Sequence, residues 1–169
     1  MSNDTIAGSG LEKMFYGQIL SILVIIPLVG WIAAIVGIVL FLVGLHEAAG
    51  ADEGYRTAFY VEIGILVLSV LAVFIGVLNI VTSILSLVVI YLVCTTTAGL
   101  LEVKGDLGTA ARGRFAWKFY GGCTALVVVC SILSLIPLVN ILAMVVIVPA
   151  SIASVVGGIL LLIFLYRAC

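Results

Sequence analysis

The feature that most constrains the fold of this chain is the length of its apolar segments. Residues 14–45 contain no charged side chain, and residues 57–101 contain only Glu62. About twenty helical residues cross a hydrocarbon core of roughly 30 Å, so each of these segments is too long for one straight crossing. Only 9% of the residues are charged, against about 25% in soluble domains. The apolar runs do not alternate as barrel strands do. We therefore predict an all-α integral membrane protein.

Residues that favour chain reversal interrupt each long apolar segment near its middle. Pro27 lacks the N–H that a helix interior needs, and Gly30 permits a tight turn. Asn79 is the most polar residue near the middle of the second segment, and Pro137 and Asn140 interrupt the third. The sequence thus predicts about six transmembrane helices in a single membrane domain, arranged as three hydrophobic hairpins at 11–47, 57–102 and 115–167. Four or five crossings with long kinked helices are the alternative.

The three hairpins show signs of an internal repeat. A Phe-Tyr pair opens each one, at 15–16, 59–60 and 119–120. The distance from this pair to the predicted turn is nearly equal in the second and third hairpins, and shorter in the first. We interpret the three hairpins as related units.

Basic residues predict the orientation in the membrane. With six crossings, every lysine and arginine lies on one side, and the predicted hairpin turns carry none. Cytoplasmic loops are rich in these residues, so we predict a multipass protein of the cell membrane with both termini in the cytoplasm. The basic residues are Lys13, Arg56, Lys104, Arg112, Arg114, Lys118 and Arg167.

Four polar residues lie within or beside the apolar segments and are candidate intramembrane contacts: Gln18, Glu62, Asn79 and Asn140. A carboxylate inside a membrane is costly and therefore suggests function. Glu62 could instead reach the interface or pair with nearby Arg56. An ion or proton site and a contact with a partner subunit are the other interpretations. For the two asparagines we expect hydrogen bonds to backbone groups at the turns, with pore lining as the alternative.

Small residues four apart predict close helix packing, because they let two backbones approach in lipid. They occur in the second and sixth predicted helices and could serve packing within the chain or between subunits. The residues are Ala33, Gly37, Ala150, Ala153, Ser154, Gly157 and Gly158.

Residues for catalysis are lacking in the sequence. It has one histidine, no serine–histidine–acid set, no phosphate-binding loop and no metal-ligand spacing among its four cysteines. We expect no enzymatic activity, no cofactor, no metal and no nucleic-acid partner.

Several short motifs resemble a known family. They are Ile-Pro-Leu-Val-Gly-Trp at 26–31, the helix end from Gly37 to Gly-Leu-His-Glu-Ala-Ala at 44–49, and Tyr-Arg-Thr-Ala-Phe at 55–59 after an acidic linker. The chain resembles small multipass membrane proteins of unknown function from archaea and bacteria. This resemblance implies a prokaryotic membrane protein and transfers no activity.

These observations favour a non-enzymatic function. We expect a structural or accessory subunit that packs with membrane lipids and with copies of itself or other chains, as a homo-oligomer or a larger membrane complex. A small channel or transporter is the first alternative, and a membrane-shaping hairpin protein is the second.

Overall fold

The described residues, 3–22, 29–76, 78–133 and 140–168 of the computed structural model, form six α-helices and no strand. The prediction of an all-α protein is therefore confirmed. The predicted turns at Pro27 and Pro137 lie outside these residues. The helices are α1 (Asn3–Ile22), α2 (Val29–Ala48), α3 (Glu53–Ala72), α4 (Leu78–Val103), α5 (Leu107–Leu133) and α6 (Asn140–Ala168).

The helices pack as a closed ring. Each helix packs against the next along the chain, and α1 also contacts α6, which closes the ring. Neighbouring helices run antiparallel: Gly10 of α1 lies against Gly44 of α2, and Gly17 lies against Gly37. The ends of α2, α4 and α6 therefore lie at the same end of the ring as the beginnings of α1, α3 and α5. We call this the basic end, because it carries the lysines and arginines.

The composition and surface of the helices fit insertion into a membrane. Among the described residues, four helical segments are long and apolar enough to cross one: Glu53–Ala72, Leu78–Val103, Leu107–Leu133 and Val145–Ala168. Ile32–Ala48 is a shorter apolar helix. Large apolar side chains point outward along the helices: Ile32 of α2, Val70 of α3 and Ile152 of α6 are 68%, 66% and 63% exposed. Such an apolar exterior is what lipid requires and is rare on a soluble monomer.

Two helix boundaries differ from the sequence prediction. We expected a polar linker up to residue 114, but α5 begins at Leu107 and continues through this stretch. We also placed a turn at Asn79, whereas the turn lies at 73–76 and Asn79 is in the first turn of α4. The backbone carbonyl of Asn79 accepts hydrogen bonds from the hydroxyls of Thr82 and Ser83, at 3.0 and 2.8 Å.

A short reversal joins α4 to α5. Gly105 adopts a φ of 85°, which is open to glycine at little cost, and the Asp106 N–H donates to the Leu101 carbonyl at 2.9 Å. Asp106 then caps α5, because its Oδ1 accepts the Thr109 N–H at 3.0 Å. This cap explains why α5 starts so early in a polar stretch.

The Asp106 cap predicts a pH-dependent stability. Hydrogen bonds from the Thr109 side chain and backbone lower the pKa of Asp106 below its ordinary 3.8. The stabilisation is therefore complete above that ordinary pKa and is lost as the pH falls through the lower pKa of the folded protein. At pH 7 we expect Asp106→Ala to melt at a lower temperature than the wild type in detergent, and the difference to shrink in acid. Asp106→Asn should keep the cap at both pH values. Equal melting temperatures of Asp106→Ala and the wild type at pH 7 would contradict the stabilising role of the Asp106 cap.

The tightest packing lies in the half of the ring nearest the basic end. Met14, Leu45, Tyr55 and Cys94 are fully buried there, and they belong to one apolar cluster with residues from α5 and α6. The Thr97 hydroxyl donates to the Val93 carbonyl at 2.6 Å, so the Tyr55 hydroxyl is the donor to Thr97 Oγ1, also at 2.6 Å. The core of this half of the ring is therefore closely packed, and a void of about 30 Å³ beside Tyr55 and Thr97 remains at the basic end.

Candidate functional site

A partly open cavity of about 230 Å³ lies between the helices, near their middle. Five of the described helices contribute to its wall. At about 30 Å³ per water molecule, the cavity has room for several waters or a hydrated ion. The lining residues are Gly17 and Gln18 of α1, Gly37, Ile38 and Phe41 of α2, Glu62 of α3, Ser86, Val89 and Ile90 of α4, and Tyr120 of α5.

Among the described residues that line the cavity, Glu62 is the one carboxylate. It lies at the midpoint of α3 and is half-buried. Arg56, the neighbour considered as its partner, pairs instead with Glu53 at 2.9 Å. Within the described part of the chain, Glu62 has no hydrogen bond or ion pair to any residue. Its oxygens are therefore available to whatever occupies the cavity.

Neutral polar groups complete the lining. Gln18 can both donate and accept hydrogen bonds, and it too has no hydrogen-bond partner among the residues described. Ser86 donates its hydroxyl proton to the Thr82 carbonyl at 2.9 Å, so Ser86 Oγ offers the cavity an acceptor. Tyr120 also contributes to the wall. The cavity thus combines one carboxylate with neutral oxygens, which is the ligand chemistry of a small cation.

A buried hydroxyl beside the cavity lacks a partner. Thr124 lies one turn beyond Tyr120 on the same face of α5, and its Oγ1 has no hydrogen-bond partner within the described ranges. Buried polar groups are nearly always satisfied by protein or ordered water. The Thr124 hydroxyl is an exception to this pattern among the described residues.

The cavity narrows toward the basic end. Gln18, Phe41 and Ile90 also line a void of about 10 Å³, which Val93, Leu161 and Leu165 enclose on the other side. Beyond this void lies the packed apolar cluster that includes Met14 and Leu45. The structure is therefore closed between the cavity and the basic end.

Some of the candidate residues predicted from the sequence line the cavity, and others pack one helix against another. Gln18 and Glu62, which hold equivalent places in the first two predicted repeat units, line the same cavity. Gly122 holds that place in the third unit but is exposed. Asn79 is exposed at the start of α4. Asn140 is the first residue of α6, and its side chain lies outside the described part.

The predicted packing residues of α2 are buried inside the ring. Ala33 is 7% exposed, and Gly37 is buried against Gly17, where a Cβ on Gly17 would lie 2.6 Å from the Gly37 carbonyl oxygen. The small residues four apart in α2 therefore serve packing against α1 of the same chain.

In α6 the small residues face two directions. Ala150 and Gly157 are buried, and a Cβ on Gly157 would lie 3.0 Å from Tyr120 Cα. Ala153 and Ser154 are half-buried, and a Cβ on Gly158 would meet no atom within 4 Å. Part of this stripe serves contact with α5, and part is open at the surface.

Sequence reasoning missed Ser86 and Tyr120 as cavity residues. Ser86 is one of few polar residues in the apolar part of α4, a signal that could have selected it. Tyr120 belongs to the repeated Phe-Tyr pairs, but its counterparts Tyr16 and Tyr60 are 51% and 64% exposed. A Phe-Tyr pair in the sequence therefore does not by itself show that its tyrosine points into the ring.

Comparison with known proteins identified no relative: no family model matches the chain, and no curated protein or solved structure is significantly similar to it. The resemblance to small prokaryotic membrane proteins stays a prediction.

Proposed function

We propose that this protein is a small channel or transporter that binds a monovalent cation, a proton included, in the cavity at Glu62. One observation carries the proposal: Glu62 lines a cavity between the helices, near their middle, and its carboxylate lacks a protein partner in the described residues. One carboxylate surrounded by neutral oxygens matches one positive charge. A charged group at such a depth is expensive and is retained where it serves an ion path.

The topology that we propose has six crossings and both termini on the cytoplasmic side. Four helices have the length and apolarity for crossing, and 17 residues of α2 add a fifth apolar helix. Antiparallel packing of α1 on α2 supports α1 as the remaining crossing. The one-sided basic residues support the orientation.

Flux into liposomes tests the proposal. The purified protein is reconstituted, and uptake of radioactive sodium, rubidium as a substitute for potassium, and protons is followed in separate experiments. Hydrogen bonds to charged groups contribute about 1.5–3 kcal/mol, so Glu62→Gln is expected to slow uptake by about tenfold or more.

The matched control is Glu53→Gln, the same substitution on the same helix. Glu53 is exposed at the start of α3 and pairs with Arg56, so its loss should leave uptake unchanged. Uptake no faster than in protein-free liposomes, or equal uptake by wild type and Glu62→Gln, would contradict the proposal.

A second candidate function is that of an accessory subunit in a homo-oligomer or larger complex. The open surface at Gly158, beside half-buried Ser154, favours it, because small residues let another helix approach closely. Native mass spectrometry after mild extraction from the source membranes tests this candidate. Bound polypeptides would support it, and a lone monomer would oppose it.

A further inference from the structure

A groove between α5 and α6 carries two arginines at the edge nearest the basic end. Arg112 lies in the second turn of α5 and Arg167 in the last turn of α6, and both side chains are exposed at the basic end. They line a pocket of about 90 Å³ together with Phe115, Leu160, Ile163 and Phe164. We call this pocket the arginine groove.

The charges in the arginine groove are not neutralised by the protein. Neither guanidinium has an ion pair or hydrogen bond to any of the residues described, whereas Lys13, Arg56 and Arg114 pair with Glu47, Glu53 and Glu102. The charge of Arg112 contributes to the lowered pKa of Asp106, which lies outside the groove. None of the described residues that line the groove is acidic. The groove is therefore positive at its edge.

The remainder of the groove is apolar and faces outward. Phe115 is 60% exposed and Ile163 is 45% exposed, while Phe164 forms the buried floor against Gly113. Leu160 lies seven residues before Arg167, about 10 Å deeper along α6 at 1.5 Å per residue. The lining thus changes from cationic to apolar with depth.

The lengths of the two helices place the arginines at the level of the lipid head groups. α5 has 27 residues and α6 has 29, so they are about 40 Å long. The hydrocarbon core is about 30 Å thick, and the whole bilayer with its head groups is about 40–45 Å. Arg167, one residue from the end of α6, therefore extends beyond the hydrocarbon, and Leu160 lies within it. Arg112 and Ile163 each lie five residues, about 8 Å, from the basic end of their helix, at the boundary, where the long side chain of Arg112 reaches the head groups.

From this arrangement we propose that the arginine groove binds an anionic phospholipid. The phosphate lies between Arg112 and Arg167, and an acyl chain lies along Phe115, Ile163 and Leu160. Guanidinium groups bind phosphate oxygens in a planar, bidentate manner. Basic pockets between membrane helices bind lipid head groups by the same chemistry.

Lipid binding by the intact purified protein tests this proposal. Native mass spectrometry measures the bound fraction as phosphatidylglycerol or phosphatidylcholine is added to the delipidated protein in detergent. Wild type should bind phosphatidylglycerol more tightly. Each basic residue near a membrane surface contributes enough for about a fivefold change in affinity, so Arg112→Gln and Arg167→Gln should each weaken it about fivefold. Phosphatidylcholine binding should not change.

Lys118→Gln is the matched control, since Lys118 is exposed on α5 and does not line the groove. It should bind phosphatidylglycerol as wild type does. Equal affinity of the wild type for the two lipids would overturn the proposal, as would a loss in Lys118→Gln equal to that in Arg112→Gln. Millimolar inorganic phosphate should not displace the lipid; complete displacement would identify a soluble anion as the occupant and reject the lipid site.

Discussion

Replacing Gly44 by alanine is expected to lower the free energy of unfolding by about 3 kcal/mol, because the added methyl group has no space between α1 and α2. A Cβ at Gly44 would lie 2.5 Å from the Gly10 carbonyl oxygen and 2.8 Å from the Met14 nitrogen. A Cβ at Gly10 would in turn lie 2.6 Å from the Gly44 carbonyl oxygen. Backbone atoms cannot rotate aside as a side chain can, so the two helices must separate.

Gly64→Ala is the matched control for this prediction. A Cβ at Gly64 meets no atom within 4 Å, and alanine is favoured over glycine in helices by about 1 kcal/mol. We expect Gly64→Ala to be as stable as the wild type or more stable. Unfolding by sodium dodecyl sulfate in mixed micelles measures both variants. If Gly44→Ala unfolds at the same detergent fraction as Gly64→Ala, the close approach of α1 and α2 is wrong.

Leu45→Ala is expected to destabilise the protein by about 3 kcal/mol, because it leaves a cavity in the packed half of the ring. Leu45 is fully buried and belongs to the apolar cluster that includes Met14 and Leu165. The protein loses stability because the side chains around the new cavity lose van der Waals contacts, and the neighbouring helices cannot move in to fill it.

The same substitution at Leu126 tests where lipid lies. Leu126 is 47% exposed on α5. When a lipid-facing leucine is truncated, lipid chains take the place of the lost side chain, and they are as apolar as leucine. The substitution therefore changes the free energy of unfolding little. We expect Leu126→Ala to unfold close to the wild type in the same mixed-micelle titration. A loss as large as that of Leu45→Ala would mean that the exposed face is covered by protein.

Much of the helical pattern is predictable from the sequence. Apolar segments too long for one crossing predicted the hairpins, and helices are present in the described parts of all of them. The α4–α5 junction was harder to predict, because residues 107–118 are polar and aromatic without a strong helical pattern. There the cap at Asp106 and the packing of Gly113 against Phe164 determine the helix. Such contacts depend on a distant part of the chain.

The cavity was not predictable, because it depends on how each helix is rotated. In a soluble bundle, polar residues mark the outward face of a helix. Here both the lipid side and much of the interior are apolar, so the sequence does not distinguish Ile90, on the cavity wall, from outward-facing Val88. Gln18 and Glu62 were identified as unusual by their polarity alone. Only the structure shows that these two residues line one cavity together with Ser86 and Tyr120.

The contact between α1 and α6 has a consequence for the order of assembly during synthesis. Within the described residues, the other main interfaces join helices that are consecutive along the chain, so each can form soon after its second helix enters the membrane. The contact between α1 and α6 must wait until translation is nearly complete. Until then, the flank of α1 that α6 will cover faces lipid or an insertion factor. The last helix therefore closes the ring, and a chain truncated before Asn140 would keep its first two hairpins but lose the third and leave the ring open.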